Sequence, residues 1–310
     1  MTKEWLGDGP VRPAGVFERI VVGVDRSSAA GACLAWAARL AGPGLEAIVA
    51  VHAAGLLAEP DDRSLAGQEV WTRLDRVVAD GWDAPPRRAG CDVRAVVRGG
   101  VPADVLRQVA VDEAADLVIL GTRGAGTAAA GALGSTSLRF LQLAPCPVLI
   151  VPDSAGPRRE IRLREIVMAV DGATPIAAVA DLVARLATID GAQVTIVHAL
   201  DQAPVFALGP AATAEPREVD DPVGRNRARL APLVCRFRQG GLAGTLRIED
   251  GPVVEVVTAI ASSGDADLVV VGSAHPSHSP DPLYESTSRR IAALLGHIRQ
   301  AVLVVPETTT

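Results

Sequence analysis

Residues 20–25 read IVVGVD, and the same pattern returns as IVMAVD at residues 166–171. Further along, AIVAVHA at residues 47–53 returns as QVTIVHA at residues 193–199, and both pairs are 146 residues apart. Such short runs of Val and Ile are typical of buried strands. A spacing of this length is far too long for a solenoid repeat. The sequence therefore predicts a tandem duplication of a whole domain.

Two later segments extend the duplication and set its limits. ADLVILG at residues 115–121 returns 151 residues later as ADLVVVG, and CPVLIVP at residues 146–152 returns as AVLVVP at residues 301–306. The polar segment DSAGPRRE lies between the copies. The predicted organisation is an N-terminal tail (1–16), a first domain (17–152), a linker (153–160), a second domain (161–306) and a C-terminal tail (307–310).

Apolar residues at helical spacing predict the helices of the first copy. The first helix spans residues 30–41, and its inward face comprises Ala30, Cys33, Leu34, Ala37 and Ala41. The second is marked by Leu74, Val77 and Val78. The third begins at Pro102, which suits the first turn of a helix, and it buries Val105, Leu106 and Val109.

The strands are apolar throughout, which indicates a parallel sheet covered by helices on both faces. Each copy then reads β-α-β-α-β-α-β-α-β. We predict an α/β fold with two tandem doubly wound, Rossmann-like parallel sheets of five strands in the order 3-2-1-4-5. The last strands, at residues 146–152 and 301–306, should pair the two copies, because apolar edge strands leave backbone donors unpaired. The chain would then imitate a dimer of single domains, with a homodimer of whole chains left open.

Composition excludes several classes of function. The chain has 310 residues, of which 49% are hydrophobic, and its net charge of −6 disfavours a nucleic-acid partner. Lys3 is the only lysine, so a Walker-type P-loop is nearly excluded. The polar start and the lack of a long apolar run favour a cytoplasmic protein without a membrane partner.

Cysteine and histidine spacing predicts no metal site. Cys33, Cys91, Cys146 and Cys235 are widely spaced and are expected to be core thiols without disulfides. His52 and His198 end repeat-related strands, and a structural role with bonds to the local backbone is the favoured interpretation of both.

A glycine-rich loop follows the fourth strand, and residues 121–137 read GTRGAGTAAAGALGSTS. Its glycines let the backbone approach an anion closely, and Gly134-Ser135 should open a helix whose positive end favours phosphate. In the predicted strand order this loop lies beside Asp25, which follows the first strand. The candidate site comprises Gly23, Val24, Asp25, Gly121, Thr122, Arg123, Gly124, Ala125, Gly126, Gly134, Ser135, Thr136 and Ser137.

Simpler interpretations stay open for parts of this site. Asp25 could cap the following turn, Arg123 could be a solvated loop residue, and the alanine-rich stretch could be a flexible connector. No catalytic residue is assigned.

The chain resembles a tandem universal stress protein. The ATP-binding members of that family carry G-x2-G-x9-G-(S/T) after strand four and an aspartate after strand one, which match Gly121, Gly124, Gly134-Ser135 and Asp25. The resemblance covers about residues 17–306. It implies an adenine nucleotide, ATP with or without Mg²⁺, with its base near strands one and two, its ribose near the aspartate and its phosphates on the loop.

The second copy departs from this motif. Gly272 is kept, but His275 and Glu285 replace the next two glycines, although Ser286, Thr287 and Ser288 preserve the hydroxyls. The charge of Glu285 would oppose a bound phosphate. One site per chain, in the first copy, is therefore expected.

Two classes of function follow. The leading one is a nucleotide-dependent regulator of a stress response that hydrolyses ATP very slowly or not at all and acts on an unidentified protein partner. The alternative is an interaction scaffold in which the nucleotide cleft is vestigial.

Overall fold

The computed structural model describes residues 16–25, 27, 29–54, 90–122, 133–152, 161–170, 176–200, 221–273 and 282–306. The first half contains β1 (Arg19–Gly23), α1 (Ala29–Leu40), β2 (Ala47–Ala53), β3 (Val93–Arg98), α2 (Pro102–Asp112), β4 (Leu117–Gly121), α3 (Ser135–Leu143) and β5 (Val148–Val151). The second half contains β6 (Glu165–Ala169), α4 (Ile176–Ala187), β7 (Gln193–Leu200), α5 (Pro222–Gln239), β8 (Gly244–Asp250), α6 (Val253–Ser263), β9 (Leu268–Ser273), α7 (Pro282–His297) and β10 (Ala301–Pro306). The predicted helix at Leu74, Val77 and Val78 lies outside the described residues.

One ten-stranded sheet runs through both halves in the order β3-β2-β1-β4-β5-β10-β9-β6-β7-β8. Each half therefore has the predicted order 3-2-1-4-5, with parallel pairing throughout. The α/β fold class is confirmed. Because the pairing of β5 with β10 is antiparallel, the carboxyl ends of the strands in the two halves lie at opposite edges of the sheet.

The sheet separates two apolar layers. Side chains of α1, α4 and α5 pack on one face, and those of α2, α3, α6 and α7 pack on the other. The inward residues predicted for α1 are all buried, and α2 begins at Pro102 and buries the three residues predicted. A strand covered on both faces must be apolar at every position, which is why alternation is missing from the sequence.

Equivalent aspartates make the same contacts to the backbone in both halves. The carboxylate of Asp116 accepts bonds from the N–H groups of Glu18 and Arg19, at 2.8 and 2.9 Å. Asp267 accepts bonds from Arg164 and Glu165 in the same way, at 2.7 and 3.2 Å. Each aspartate precedes the fourth strand of its half and holds the start of the first strand. The two halves are thus aligned residue by residue in this region.

The two halves are joined through their last strands, as predicted. Val302 pairs with Ile150, Leu303 with Leu149 and Val304 with Val148. These strands are almost fully buried, so each edge covers the other. An ion pair between Arg39 and Asp190 also links the halves.

One cysteine prediction is wrong. Cys33, Cys91 and Cys146 are buried, but Cys235 is exposed. Helix α5 buries Leu230, Val234 and Phe237, which share one face. Cys235 follows Val234 by one position, a rotation of about 100°, and therefore points away from the core.

The thiols should differ sharply in reactivity. Burial and the nearby charge of Asp116 raise the pKa of Cys146 to about 12, and burial with the charge of Asp92 raises the pKa of Cys91. Because the thiolate is the nucleophile, the native protein should react quickly with Ellman's reagent at one thiol, Cys235. The Cys235→Ser variant should show no fast reaction. Rapid reaction of two or more thiols in the native protein would contradict this burial pattern.

Candidate functional site

The carboxyl ends of β1 and β4 are adjacent, as the predicted strand order requires. Ile20 pairs with Leu117 and Val22 with Ile119, so the chain leaves the sheet at Gly23 and Gly121 on neighbouring strands. In an open parallel sheet this is the position where ligands bind.

Gly23 lies in tight packing at the end of β1. A Cβ atom at this position would lie 2.5 Å from Leu120 Cδ2 and 3.3 Å from Leu106 Cδ2. Such contacts are too short, so a larger residue would displace the leucine side chains. Glycine here lets β1 sit against the apolar layer below the cleft.

His52 holds the residue after β1 in place. The N–H of Val24 donates to the carbonyl of Val51 at 2.9 Å, and His52 Nδ1 lies 3.0 Å from the Val24 carbonyl oxygen. The second half repeats the contact, with His198 Nδ1 at 2.8 Å from the Val170 carbonyl oxygen. The structural interpretation of both histidines is confirmed. Sequence reasoning missed that His52 positions a residue of the candidate site, although its place at the end of a repeated strand was a visible signal.

Asp25 caps its own turn. Its Oδ1 accepts a hydrogen bond from the Ser27 N–H at 2.8 Å, and the residue is half-buried. The capping interpretation is therefore confirmed for this oxygen. A carboxylate can accept several bonds through its two oxygens, so a ligand contact of Asp25 stays a prediction.

Three hydrogen bonds close the glycine-rich loop at its base. The N–H of Thr122 donates to the carbonyl of Val151 at 2.9 Å, and the N–H of Gly134 donates to the carbonyl of Thr122 at 2.7 Å. Ser137 Oγ donates to the carbonyl of Gly121 at 2.8 Å. The loop thus leaves the sheet and returns at one point, which fixes the start of α3 against the end of β4.

Helix α3 begins at Ser135 as predicted, with Gly134 as its N-cap and no side-chain cap. The first amides of a helix have no intrahelical acceptor, and a glycine cap leaves them open to a ligand. Ser135 is exposed and Thr136 half-buried, whereas Ser137 is buried. Since the Ser137 hydroxyl donates a hydrogen bond to the Gly121 carbonyl, it supports the loop itself, and the hydroxyls of Ser135 and Thr136 stay the predicted donors to a ligand.

Four residues of the candidate site, Arg123, Gly124, Ala125 and Gly126, lie outside the described residues. The same holds for Asp171 and His275 of the second half. The contribution of Arg123, Gly124, Ala125 and Gly126 to the site stays a prediction.

The second half differs at the corresponding helix. By the repeat spacing Ser286 corresponds to Ser135, but α7 begins at Pro282, four residues earlier. One turn of an α-helix is 3.6 residues. Helix α7 is therefore extended by about a turn at its N-terminus, and Glu285 lies within the helix rather than at its cap.

Other site types receive no support from the described residues. No group of three His, Cys, Asp or Glu side chains among them is placed to hold a metal ion. Within the same part of the chain, no helix combines the length and apolar character needed to cross a membrane.

Together these features define a tandem α/β protein in which the first and fourth strands of each half end side by side, the position where ligands bind in open parallel sheets. The sequence model of the universal stress protein family matches residues 17–152 and again residues 162–306. The chain belongs to the universal stress protein family.

Curated relatives share sequence with this chain, and a solved structure shares its fold. A universal stress protein of Mycobacterium tuberculosis is 26% identical over 269 residues, which cover 82% of this chain and 86% of that protein. One of Thermus aquaticus is 46% identical over 57 residues, which cover 18% of this chain and 42% of that protein. The crystal structure of a universal stress protein from Archaeoglobus fulgidus shares the fold, with a TM-score of 0.66 and 16% identity over 94% of this chain and 99% of that one.

Proposed function

We propose that the cleft of the first half binds one adenine nucleotide, ATP with or without Mg²⁺, and that its occupancy alters contacts with a protein partner in a stress response. The observation that carries this proposal is the bond from the Gly134 N–H to the Thr122 carbonyl, 2.7 Å long. It brings the uncapped start of α3 to the end of β4, beside the end of β1.

The chemistry of this edge suits an anion. The amides of the first turn of α3 and the helix dipole favour phosphate, and the hydroxyls of Ser135 and Thr136 add donors. The candidate loop residues Arg123, Gly124, Ala125 and Gly126 would complete the cradle. Since Lys3 is the only lysine of the chain, the phosphates would rely on backbone amides, as they commonly do at helix N-termini.

A bound Mg²⁺ would supply charge neutralisation of the phosphates. This ion is usually held by one or two carboxylates together with phosphate oxygens and water. Asp25 is the one carboxylate among the candidate residues, and its half-buried position suits that limited role.

Two features support a single site per chain. Helix α7 begins about one turn earlier than α3 does, so its N-terminus does not lie at the position that the start of α3 would offer to an anion. In the sequence Glu285 stands where the first copy has Gly134, and a carboxylate at that position would oppose phosphate.

Calorimetric titration with ATP, with and without Mg²⁺, tests the proposal on the full chain. We expect a stoichiometry near one, and mass spectrometry of the purified protein should detect an adenine nucleotide. Two sites of equal affinity would contradict the proposal that only the first half binds a nucleotide. If none of ATP, ADP and AMP binds, the alternative function is favoured, an interaction scaffold with a vestigial nucleotide cleft.

Turnover should be very slow. Fast phosphoryl transfer needs a positioned acceptor or water and cations that stabilise developing charge. Backbone amides bind ground-state and transition-state phosphates nearly alike, so they lower the dissociation constant without speeding the chemistry. Phosphate release with Mg²⁺ should therefore fall far below the median enzyme rate of about 10 per second.

The Gly124→Glu variant serves as the contamination control for this assay, because a charged side chain in the loop should prevent binding. Phosphate release of about one per second or faster that the variant abolishes would place the protein among enzymes.

A further inference from the structure

The second half contains an apolar cavity at the carboxyl ends of β6, β7 and β9. Its volume is about 280 Å³, and its walls come from these strands and from α4, α6 and α7. Apart from Arg290, every described residue that lines it is Val, Ile, Leu, Met, Ala or Gly. The cavity occupies the edge at which ligands bind in this fold, but its chemistry differs from that of the first half.

The side chains at this position differ between the two halves. In the first half, Leu106 on α2 and Leu120 on β4 reach Gly23 and fill the region below the end of β1. At the corresponding positions the second half has Val257 and Val271, both of which line the cavity. Each exchange removes one methylene group, whereas Ala169, which stands where the first half has Gly23, adds one methyl group, so the side chains that meet under the strand end differ in shape between the halves.

The lining favours an aliphatic ligand. Among the described lining residues Arg290 alone has a polar side chain, so a nucleotide buried there would find few side-chain partners for its hydrogen-bonding groups. No aromatic ring is present among the described lining residues to stack on a flat base. The volume also lies just below the range of about 300–1,000 Å³ that is usual for ligand pockets, so the occupant should be compact.

Arg290 gives the cavity one charged group. It is exposed, unlike the buried residues behind it, and therefore lies at the mouth. The corresponding residue of the first half, Arg139, binds the carboxylate of Asp104 at 3.0 and 3.1 Å. A guanidinium has five N–H donors, so Arg290 can donate hydrogen bonds to a ligand carboxylate in addition to the interactions it already makes.

We propose that this cavity binds a medium-chain aliphatic carboxylate, with the alkyl chain against Val257 and Val271 and the carboxylate at Arg290. The binding site is separate from the nucleotide cleft of the first half, because the two lie at opposite edges of the sheet. The proposal therefore holds or fails independently of ATP binding.

Calorimetric titration of the full chain with decanoate, and with decanol as its uncharged counterpart, tests the proposal. We expect one decanoate per chain and weaker binding of decanol. The Val257→Leu/Val271→Leu variant, which restores the side chains of the first half, should lower decanoate affinity at least about tenfold, the effect of a methylene misfit in an apolar pocket. The single Val257→Leu variant should show a smaller loss and guards against misfolding of the double variant.

Val256→Leu is the matched control. It makes the same change on the same helix at a residue that does not line the cavity, and it should leave decanoate binding unchanged. Arg290→Met keeps a side chain of similar length without the charge, and should weaken decanoate about tenfold while leaving decanol unaffected. Circular dichroism of each variant confirms the fold.

Several results would overturn the proposal. If decanoate does not bind, or if it binds equally to the wild type and the Val257→Leu/Val271→Leu variant, the cavity is not the binding site. If decanol and decanoate bind with equal affinity, or if Arg290→Met has no effect, Arg290 does not recognise the carboxylate. Binding of a second ATP that competes with decanoate would identify the cavity as a nucleotide site.

Discussion

Replacing Gly134 with glutamate is expected to abolish ATP binding in the first half without unfolding it. The backbone of Gly134, at φ −62° and ψ 147°, is accessible to any residue, so the substitution brings no backbone strain. A carboxylate at the helix cap would accept bonds from the first-turn amides and repel phosphate, and such like-charge contacts cost several kcal/mol. Calorimetry should show ATP affinity reduced at least about 100-fold.

Gly134→Gln is the matched control for this variant. It has the same size without the charge, so it should lose much less affinity than Gly134→Glu. The thermal midpoints of both variants should stay close to that of the wild type, because glutamate at a helix N-terminus interacts favourably with the dipole. Equal ATP affinity in Gly134→Glu and the wild type would refute the assignment of α3 as the phosphate-binding helix.

Replacing Leu303 with aspartate should destabilise both halves together. Leu303 is fully buried in β10 and pairs with Leu149 across the junction. An unpaired charge at the centre of the sheet should lower the free energy of unfolding by about 4 kcal/mol or more. Urea unfolding followed by circular dichroism measures the loss, and ATP affinity reports on the first half.

Leu303→Met is the control, since a substitution that conserves volume usually costs less than about 1.5 kcal/mol. If Leu303→Asp unfolded the second half alone and the first half kept its full ATP affinity, the junction would not couple the halves.

The strands and several helix starts of the first half could be predicted because they depend on local sequence. Val and Ile runs mark strands, Pro102 marks the start of α2, and Gly134-Ser135 marks the start of α3. The repeat shows the same strand patterns in both copies. Pairing of the two last strands could be predicted because both are apolar and lie at the edge of their own half.

Other features depend on contacts between distant residues. Cysteine is usually a buried residue type, but Cys235 is exposed because it lies on the face of α5 that points away from the core. The hydroxyl of Ser137, a residue of the predicted site, donates a hydrogen bond to the carbonyl of Gly121, a contact that forms only when the loop returns to the end of β4. The cavity in the second half requires Val257 and Val271 to meet under the same strand end, which no local pattern reveals.

The antiparallel junction also has an evolutionary consequence. In a homodimer of single domains, every substitution appears in both subunits, so one cleft cannot change chemistry without the other. Fusion of the two copies removes that constraint, and the effective concentration of one last strand for the other no longer depends on how much protein is present. The seam between β5 and β10 thus lets the two halves diverge while they remain permanently paired, even at high dilution.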